Sequence, residues 1–400
     1  MKKTILFVDN EPNIIQGLKR MLRSMRNEWE MFFAQSGEEA LNILSQNKID
    51  VIVADMYLPE INGVELLNKV MENYPDIVRI ILSGHSSEDM NLRSAKVAHQ
   101  YLVKPCDAEL LKKTIKQVCL LRKMLRNEQL LQVVTSIKEL PSLPVLYCRL
   151  LKEIDTPDTS LKIIGDIIAQ DVAMTAKVLQ FVNSAFFGLP RKVTSPHEAV
   201  IYLGLDVLKG LVLYTQIFST FKADPGVKGF SLQDFLRHSL MVGSLAREIA
   251  LSESADKKIA DEASVAGMLH DIGKLLLLKS RYYQQVYEYF NKTECKYLDA
   301  EYEILGTSHA EIGAYLLGLW GIPEEIIRIV ALHHCPEKGM DKNFTALTAV
   351  HAANAFVLQR NYSNHENVFS DISYHYLVTL KLDCKLTDWL NISENMYGKS

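Results

Sequence analysis

The chain has 400 residues, too many for one ordinary core, so two or three domains are expected. Hydrophobic residues make up 48% and charged residues 23%, the balance of packed globular units, and a net charge of -4 argues against bulk electrostatic binding of nucleic acid. No apolar run approaches the roughly 18 residues of a membrane span, and the cysteines Cys106, Cys119, Cys148, Cys295, Cys335 and Cys384 are scattered without C-x-x-C spacing, as in a reducing, cytoplasmic compartment.

Residues 1 to about 120 alternate short β-rich apolar runs with helix-period segments. The strands are expected at Ile5 to Val8, Met31 to Ala34, Val51 to Ala54, Arg79 to Leu82 and Gln100 to Val103. The helices are expected at Pro12 to Met25, Gly37 to Gln46, Gly63 to Glu72 and Ser87 to Val97. This βα repeat predicts an α/β doubly wound, flavodoxin-like parallel sheet with all strand C-termini on one edge. Ligands bind at that edge in open α/β sheets. Asp9, Asp55, Ser83 and Lys104 each stand at the C-terminal end of a strand, so one pocket would collect them.

Asp107 suits the N-cap of a helix carrying Leu111, Ile115, Val118, Leu121 and Leu125. Its apolar stripe either packs on the sheet throughout or continues as a connector past Arg122. The basic run Lys112, Lys113, Lys116, Arg122, Lys123 and Arg126 reads as a solvated face, since nothing beside it resembles a recognition helix. Pro141 and Pro144 force a turn. After them only helical periodicity recurs, in Val145 to Ile154, Leu161 to Gln170, Met174 to Asn183, Val207 to Phe221, Phe235 to Leu251, Ala260 to His270, His309 to Trp320, Glu324 to His334 and Thr345 to Leu358. The second region is therefore all-α. Gly273 is read as the stop of the helix ending at His270, and the segment from Asn361 onward is more polar and patchy. Asp171 and Asn183 are expected to satisfy helix ends, and Phe181, Phe186, Phe187, Met241 and Met268 to lie in the core.

A carboxylate attacks phosphorus well only when a divalent cation neutralises the phosphoryl oxygens, and Mg²⁺ prefers oxygen ligands. Asp9, Asp55 and the backbone carbonyl of Tyr57 suit that cation, with Lys104 as a point charge and Ser83 as a hydroxyl donor to the phosphoryl group. On these residues the first 120 or so positions resemble the response-regulator receiver family. The resemblance implies that Asp55 accepts a phosphoryl group from a sensor histidine kinase. It also implies a cis-proline at Pro105 and a relay through Ser83 and Tyr101. One departure stands out: the family usually has two adjacent acids after the first strand, and the second is Asn10 here. The pocket is one negative charge short, which predicts weakened Mg²⁺ binding and slow phosphorylation.

In the helical region His238, His270, Asp271, His309, His333 and His334 come from separate helices, the way bundles build interior metal sites. Such ligands suit a transition metal, with Lys274 near a bound phosphate. The segment Gly267 to Lys274 resembles the HD phosphohydrolase superfamily. More closely, residues from about Ile137 to Pro336 resemble its HDOD subfamily, through Leu140 to Pro144, Gln170 to Leu179, Val182 to Gly188 and His333 to Pro336. That resemblance implies a signalling module generally regarded as non-catalytic. The final acid of active HD proteins falls at Asn354, and no Gly-Tyr-Pro element follows His334.

Together the two resemblances give a receiver domain at 1–121, a helical linker at 122–136, an HDOD domain at 137–340 and a C-terminal helical extension at 341–400. The expected function is phosphorelay signalling, with Asp55 as input and protein interaction as output. Expected partners are a sensor histidine kinase, a downstream signalling protein and a second copy of the chain, with neither nucleic acid nor membrane insertion. The competing expectation is a receiver-controlled, metal-dependent phosphodiesterase acting on a cyclic dinucleotide or another nucleotide phosphate.

Overall fold

The computed structural model describes residues 2–74, 77–83, 98–104, 108–109, 111–112, 114–116, 145–154, 160–183, 192–220, 229–293, 295–361 and 371–398. The helix expected at Ser87 to Val97, most of the Asp107 helix, the proline turn at Pro141 and Pro144, Pro105, Phe186 and Phe187 lie outside the described residues. Two compact units divide the chain: Met1–Cys148 with Tyr315–Ile322, and Arg149–Ala314 with Pro323–Ser400.

In the first unit, β1 (Lys3–Val8), β2 (Trp29–Ala34), β3 (Val51–Asp55), β4 (Val78–Ser83) and β5 (Gln100–Val103) form one parallel sheet in the order β2-β1-β3-β4-β5. All five residues of β3 are buried, as expected of a central strand covered on both faces. Helices α1 (Pro12–Met21), α2 (Gly37–Gln46) and α3 (Gly63–Asn73) follow β1, β2 and β3. Side chains start α2 and α3: Ser36 accepts from Glu39 N, and Asn62 from Glu65 N. Leu6, Val8, Ile52, Ala54, Leu66 and Leu67 belong to the core between sheet and helices. The helix expected through Met25 stops at Met21, and a 3₁₀ turn spans Arg23–Asn27. Leu22 and Met25 both turn into the core there, which the tighter winding permits.

Every described element of the second unit is helical. After α4 (Val145–Ile154) come α5 (Leu161–Ala169), α6 (Val172–Val182), α7 (Pro196–Leu203), α8 (Leu205–Thr220), α9 (Leu232–Glu253), α10 (Lys257–Leu269), α11 (Ile272–Leu278) and α12 (Tyr283–Thr293). Then follow α13 (Tyr297–Leu305), α14 (His309–Leu319), α15 (Glu324–Leu332), α16 (Ala346–Asn361), α17 (Tyr374–Leu380) and α18 (Leu386–Tyr397). Helices α9 and α10 pack together, and α16 lies against both. Met241 and Met268 are core residues, as expected. Asp171 Oδ1 accepts from Met174 N, and Asn183 pairs in both directions with the backbone of Val193.

Gly273 is not a helix stop. The helix ends at Leu269 and a new one starts at Ile272, with Gly273 inside it. A Cβ on Gly273 would stand 1.9 Å from His309 O and 2.7 Å from Gly313 N, so glycine serves here for close approach of α11 to α14. Helix α12, not expected from the sequence, buries Tyr283 and Val286. Among the described residues, no helix is long and apolar enough to cross a membrane.

Candidate functional sites

The register of the sheet builds the first site. Val8 pairs with Ala54, so Asp9 follows β1 beside Asp55 at the end of β3. Ser83 pairs with Val103, which brings Lys104 to the same edge from β5. Lys104 Nζ lies 2.6 Å from Asp9 Oδ2 and 2.8 Å from Asp55 Oδ1, both on buried carboxylates. Glu11 N donates to Asp9 Oδ1 at 2.9 Å, which holds that side chain toward the pocket. Beyond β3 the chain turns sharply: Glu60 takes a left-handed φ of 64° and Gly63 N donates to Met56 O at 3.0 Å. A Cβ on Gly63 would stand 2.0 Å from Asp55 O, so only glycine lets α3 begin this close to the aspartate.

Burial raises the Asp55 carboxyl above its usual range, with the hydrogen bond and charge of Lys104 working against that rise. Burial opposes charge on Lys104, but the two carboxylates hold its ammonium above its ordinary value. The donor set fits a hard cation, since it offers two buried carboxylates facing one point. Asn10 and Glu11 are exposed. Ser83 and Tyr101 lie at the end of β4 and within β5, and their side chains lie outside the described residues. The Tyr57 side chain is exposed.

The second site lies among α9, α10, α14, α15 and α16. His238 comes from α9, His270 and Asp271 from the junction of α10 and α11, His309 from the start of α14, and His333 and His334 from the end of α15. Asp271 is the hub. Its Oδ2 is 3.7 Å from His238 Nε2, 3.4 Å from His270 Nε2 and 2.7 Å from Lys274 Nζ. Its Oδ1 is 3.1 Å from His309 Nε2 and 3.8 Å from His333 Nε2. His334 Nε2 lies 3.0 Å from His309 Nε2, and His238 Nε2 3.3 Å from His270 Nε2. All six metal candidates named from the sequence are thus brought together, in two overlapping groups that share Asp271.

The tautomers follow from the partners. His270 Nδ1 faces Gly267 O at 2.7 Å, His333 Nδ1 faces Val330 O at 2.8 Å, and His309 Nδ1 faces Glu301 Oε2 at 2.6 Å. A carbonyl or carboxylate oxygen only accepts, so each of these Nδ1 atoms carries a proton and each Nε2 is the nitrogen that faces the cluster. Burial lowers the pKa of His238 to about 3 and those of His333 and His334 well below the ordinary value. These imidazoles are therefore neutral and able to ligate. Burial opposes charge on His309 too, but Glu301 and Asp271 raise its pKa. Burial disfavours the Asp271 carboxylate, yet His270, Lys274 and His309 hold its pKa well below the usual range. The donor set fits a transition ion: the neutral imidazoles of His238, His333 and His334, one ionised carboxylate, and a buried His333 Nε2 and Asp271 Oδ1 with no hydrogen-bond partner. Lys274 Nζ pairs with Asp271 Oδ2 at the rim of this cluster.

Two contributors were invisible in the sequence. Glu301 is fully buried on α13 and accepts from both Nδ1 and the backbone N of His309. His351 on α16 donates from Nδ1 to His333 O at 2.7 Å and accepts from Ser373 N at 2.9 Å. Spacing could not single out Glu301, which stands among Asp299 and Glu303 in one short helix. Asn354, the position where an acid was expected, is buried on α16 and approaches His238.

Comparison with known proteins agrees with this division. A family model for the response regulator receiver domain matches residues 5–116, and one for the HDOD domain matches residues 140–336. The transcriptional regulatory protein DegU of Brevibacillus brevis is 33% identical over 119 residues, 29% of this chain and 50% of that protein. The transcriptional regulatory protein GlrR of Escherichia coli K12 is 29% identical over 112 residues, 28% of this chain and 25% of that protein. The chain thus spans half or less of the length of these curated relatives. The crystal structure of an HDOD domain protein of unknown function from Geobacter sulfurreducens matches with a TM-score of 0.51 at 23% identity, over 70% of this chain and 98% of that one, a likeness of fold. The chain therefore carries a response regulator receiver domain at residues 5–116 and an HDOD domain at residues 140–336.

Proposed function

We propose that the chain is a cytoplasmic phosphorelay protein in which Asp55 accepts a phosphoryl group from a sensor histidine kinase and the HDOD domain delivers the output by binding a signalling partner. The observation that carries this reading is the Lys104 ammonium set between the carboxylates of Asp9 and Asp55 at adjacent strand ends. Asp55 is the nucleophile, Asp9 and the Tyr57 carbonyl would hold Mg²⁺ beside it, and that cation would neutralise phosphoryl charge. Phosphorylation adds up to two negative charges beside Lys104, which then leaves Asp9 for the phosphoryl oxygens. Ser83 and Tyr101 carry the change toward the β4 and β5 edge of the sheet. Hydrogen exchange tests the relay: acetyl phosphate with Mg²⁺ should alter protection in α9 to α16 of the wild-type chain and leave an Asp55→Asn chain unchanged. Equal change in both chains would remove Asp55 from the switch.

A second reading is favoured by the imidazole cluster around Asp271. It has the HDOD domain bind a divalent transition ion, as a receiver-controlled phosphodiesterase for a cyclic dinucleotide or nucleotide phosphate requires, with Lys274 at the phosphate.

A further inference from the structure

We infer that the HDOD domain binds one transition-metal ion, not two, in the half of the cluster formed by Asp271, His309, His333 and His334, and that buried Glu301 is the residue that positions His309 for it. The inference rests on the premise of the second reading, that this cluster binds metal, and adds the number of ions, their place and the positioning residue.

The two halves of the cluster differ in what the protein has already satisfied. On the His238 side, the imidazoles of His238 and His270 bond each other at 3.3 Å, and Asp271 Oδ2 is taken by the Lys274 ammonium at 2.7 Å. A built-in cation thus stands on the carboxylate oxygen that a second metal ion would use. The remaining donor there is Asn354, whose buried Oδ1 has no hydrogen-bond partner but carries no charge. On the other side the unpartnered atoms are a carboxylate oxygen and an imidazole nitrogen. Asp271 Oδ1 and His333 Nε2 are buried, have no hydrogen-bond partner, and lie 3.8 Å apart. His309 Nε2 lies between Asp271 Oδ1 at 3.1 Å and His334 Nε2 at 3.0 Å. Lone pairs from a carboxylate and imidazoles that converge in a buried space repel one another unless a cation joins them.

Glu301 makes that half directional. Its Oε2 takes the Nδ1 proton of His309 at 2.6 Å and the His309 backbone N–H at 2.9 Å, so ring plane and tautomer are both set. A carboxylate on the distal nitrogen also raises the basicity of the ligating one. His270 and His333 have backbone carbonyls at Nδ1, and of these three only His309 has a carboxylate there. With a single ion the site lacks the paired metals that clamp the attacking and leaving oxygens of a phosphoester. The ion then serves to tie α14, α15 and the α10–α11 junction together.

The full-length Asp55→Ala chain, stripped with chelator, serves as parent so that cobalt in the receiver pocket is not counted. It is titrated with Co²⁺ and followed by visible d–d absorption and by metal analysis. One equivalent is expected. His238→Ala should keep that equivalent, and His334→Ala should lose it. Glu301→Ala should weaken binding by about 10- to 100-fold, while the isosteric Glu301→Gln, which retains an acceptor for Nδ1–H, should recover part of the loss. Far-ultraviolet circular dichroism identifies any variant that fails to fold, and Glu301→Gln then decides the positioning role. Two equivalents, or loss on His238→Ala with retention on His334→Ala, would overturn the placement. Unchanged affinity in both Glu301 variants would overturn the role of Glu301. No cobalt binding by the folded parent would instead remove the metal premise itself.

Discussion

The receiver pocket and the HDOD cluster solve the same packing problem with opposite chemistry. Each brings a backbone into close contact with a residue of its site through a glycine: Gly63 against Asp55 O, Gly273 against His309 O. Each then buries a carboxylate beside a lysine. In the receiver the other donor is a second carboxylate, Asp9, so the pocket is rich in hard oxygen. In the HDOD domain the other donors are imidazoles, three of which, His238, His333 and His334, burial keeps neutral. The first donor set therefore suits a hard cation such as Mg²⁺ and the second a borderline transition ion. Charge and donor type, not fold similarity, separate their tasks.

The glycine parallel gives the largest expected effects. Gly63→Ala and Gly273→Ala each drive a Cβ into backbone atoms that cannot rotate away, and each should cost about 3 kcal/mol, the upper end of ordinary overpacking. Denaturant unfolding read separately for the two units should find each substitution in its own unit; a loss below about 1 kcal/mol would show that the helices shift freely.

Acid should separate the two units next. His238, with its pKa lowered to about 3, and His333, His334 and His351, all lowered by burial, are neutral when folded and protonated when unfolded below the ordinary value of 6.5. Stability is therefore lost as pH falls from about 6.5, by about 1.4 kcal/mol per pH unit for each such histidine. The receiver has one histidine of this kind among its described residues, His99, lowered by burial and by Arg79. Its Asp55, with a raised pKa, acts in the opposite sense at lower pH. In chelator-treated protein, hydrogen exchange at pH 5.5 should lose protection first in α9 to α16; earlier loss in the sheet would contradict the assignment of neutral imidazoles.

The smallest effect expected is at Asn10. Asn10→Asp returns a carboxylate to the edge of the receiver pocket and should tighten Mg²⁺ by roughly fivefold, about 1 kcal/mol. Calorimetric titration showing equal affinity would mean that Asp9 and Asp55 already meet the needs of the cation.

The receiver site was legible because four strand ends on one parallel edge must converge, and the register delivers Asp9, Asp55 and Lys104 as the spacing implies. The histidines were legible as residue types on separate helices, but their pairing was not. Which nitrogen faces inward depends on Gly267 O, Val330 O and Glu301, and helical periodicity carries no information on these partners. Gly273 was misread for a related reason. A glycine after a helical run signals a cap when the chain turns into solvent, and here it turns against another helix. The polar C-terminal segment folds as α17 and α18 because a few large residues, Tyr376, Leu377 and Trp389, anchor it without a long apolar stripe.

The central claim is that Asp55 is the input of the switch, and intact mass after incubation with acetyl phosphate and Mg²⁺ tests it most directly. The wild-type chain should gain one acid-stable, base-labile phosphoryl group, slowly, and the Asp55→Asn chain none. A phosphoryl group of equal yield on the Asp55→Asn chain, or none on a wild-type chain saturated with Mg²⁺, would contradict the account.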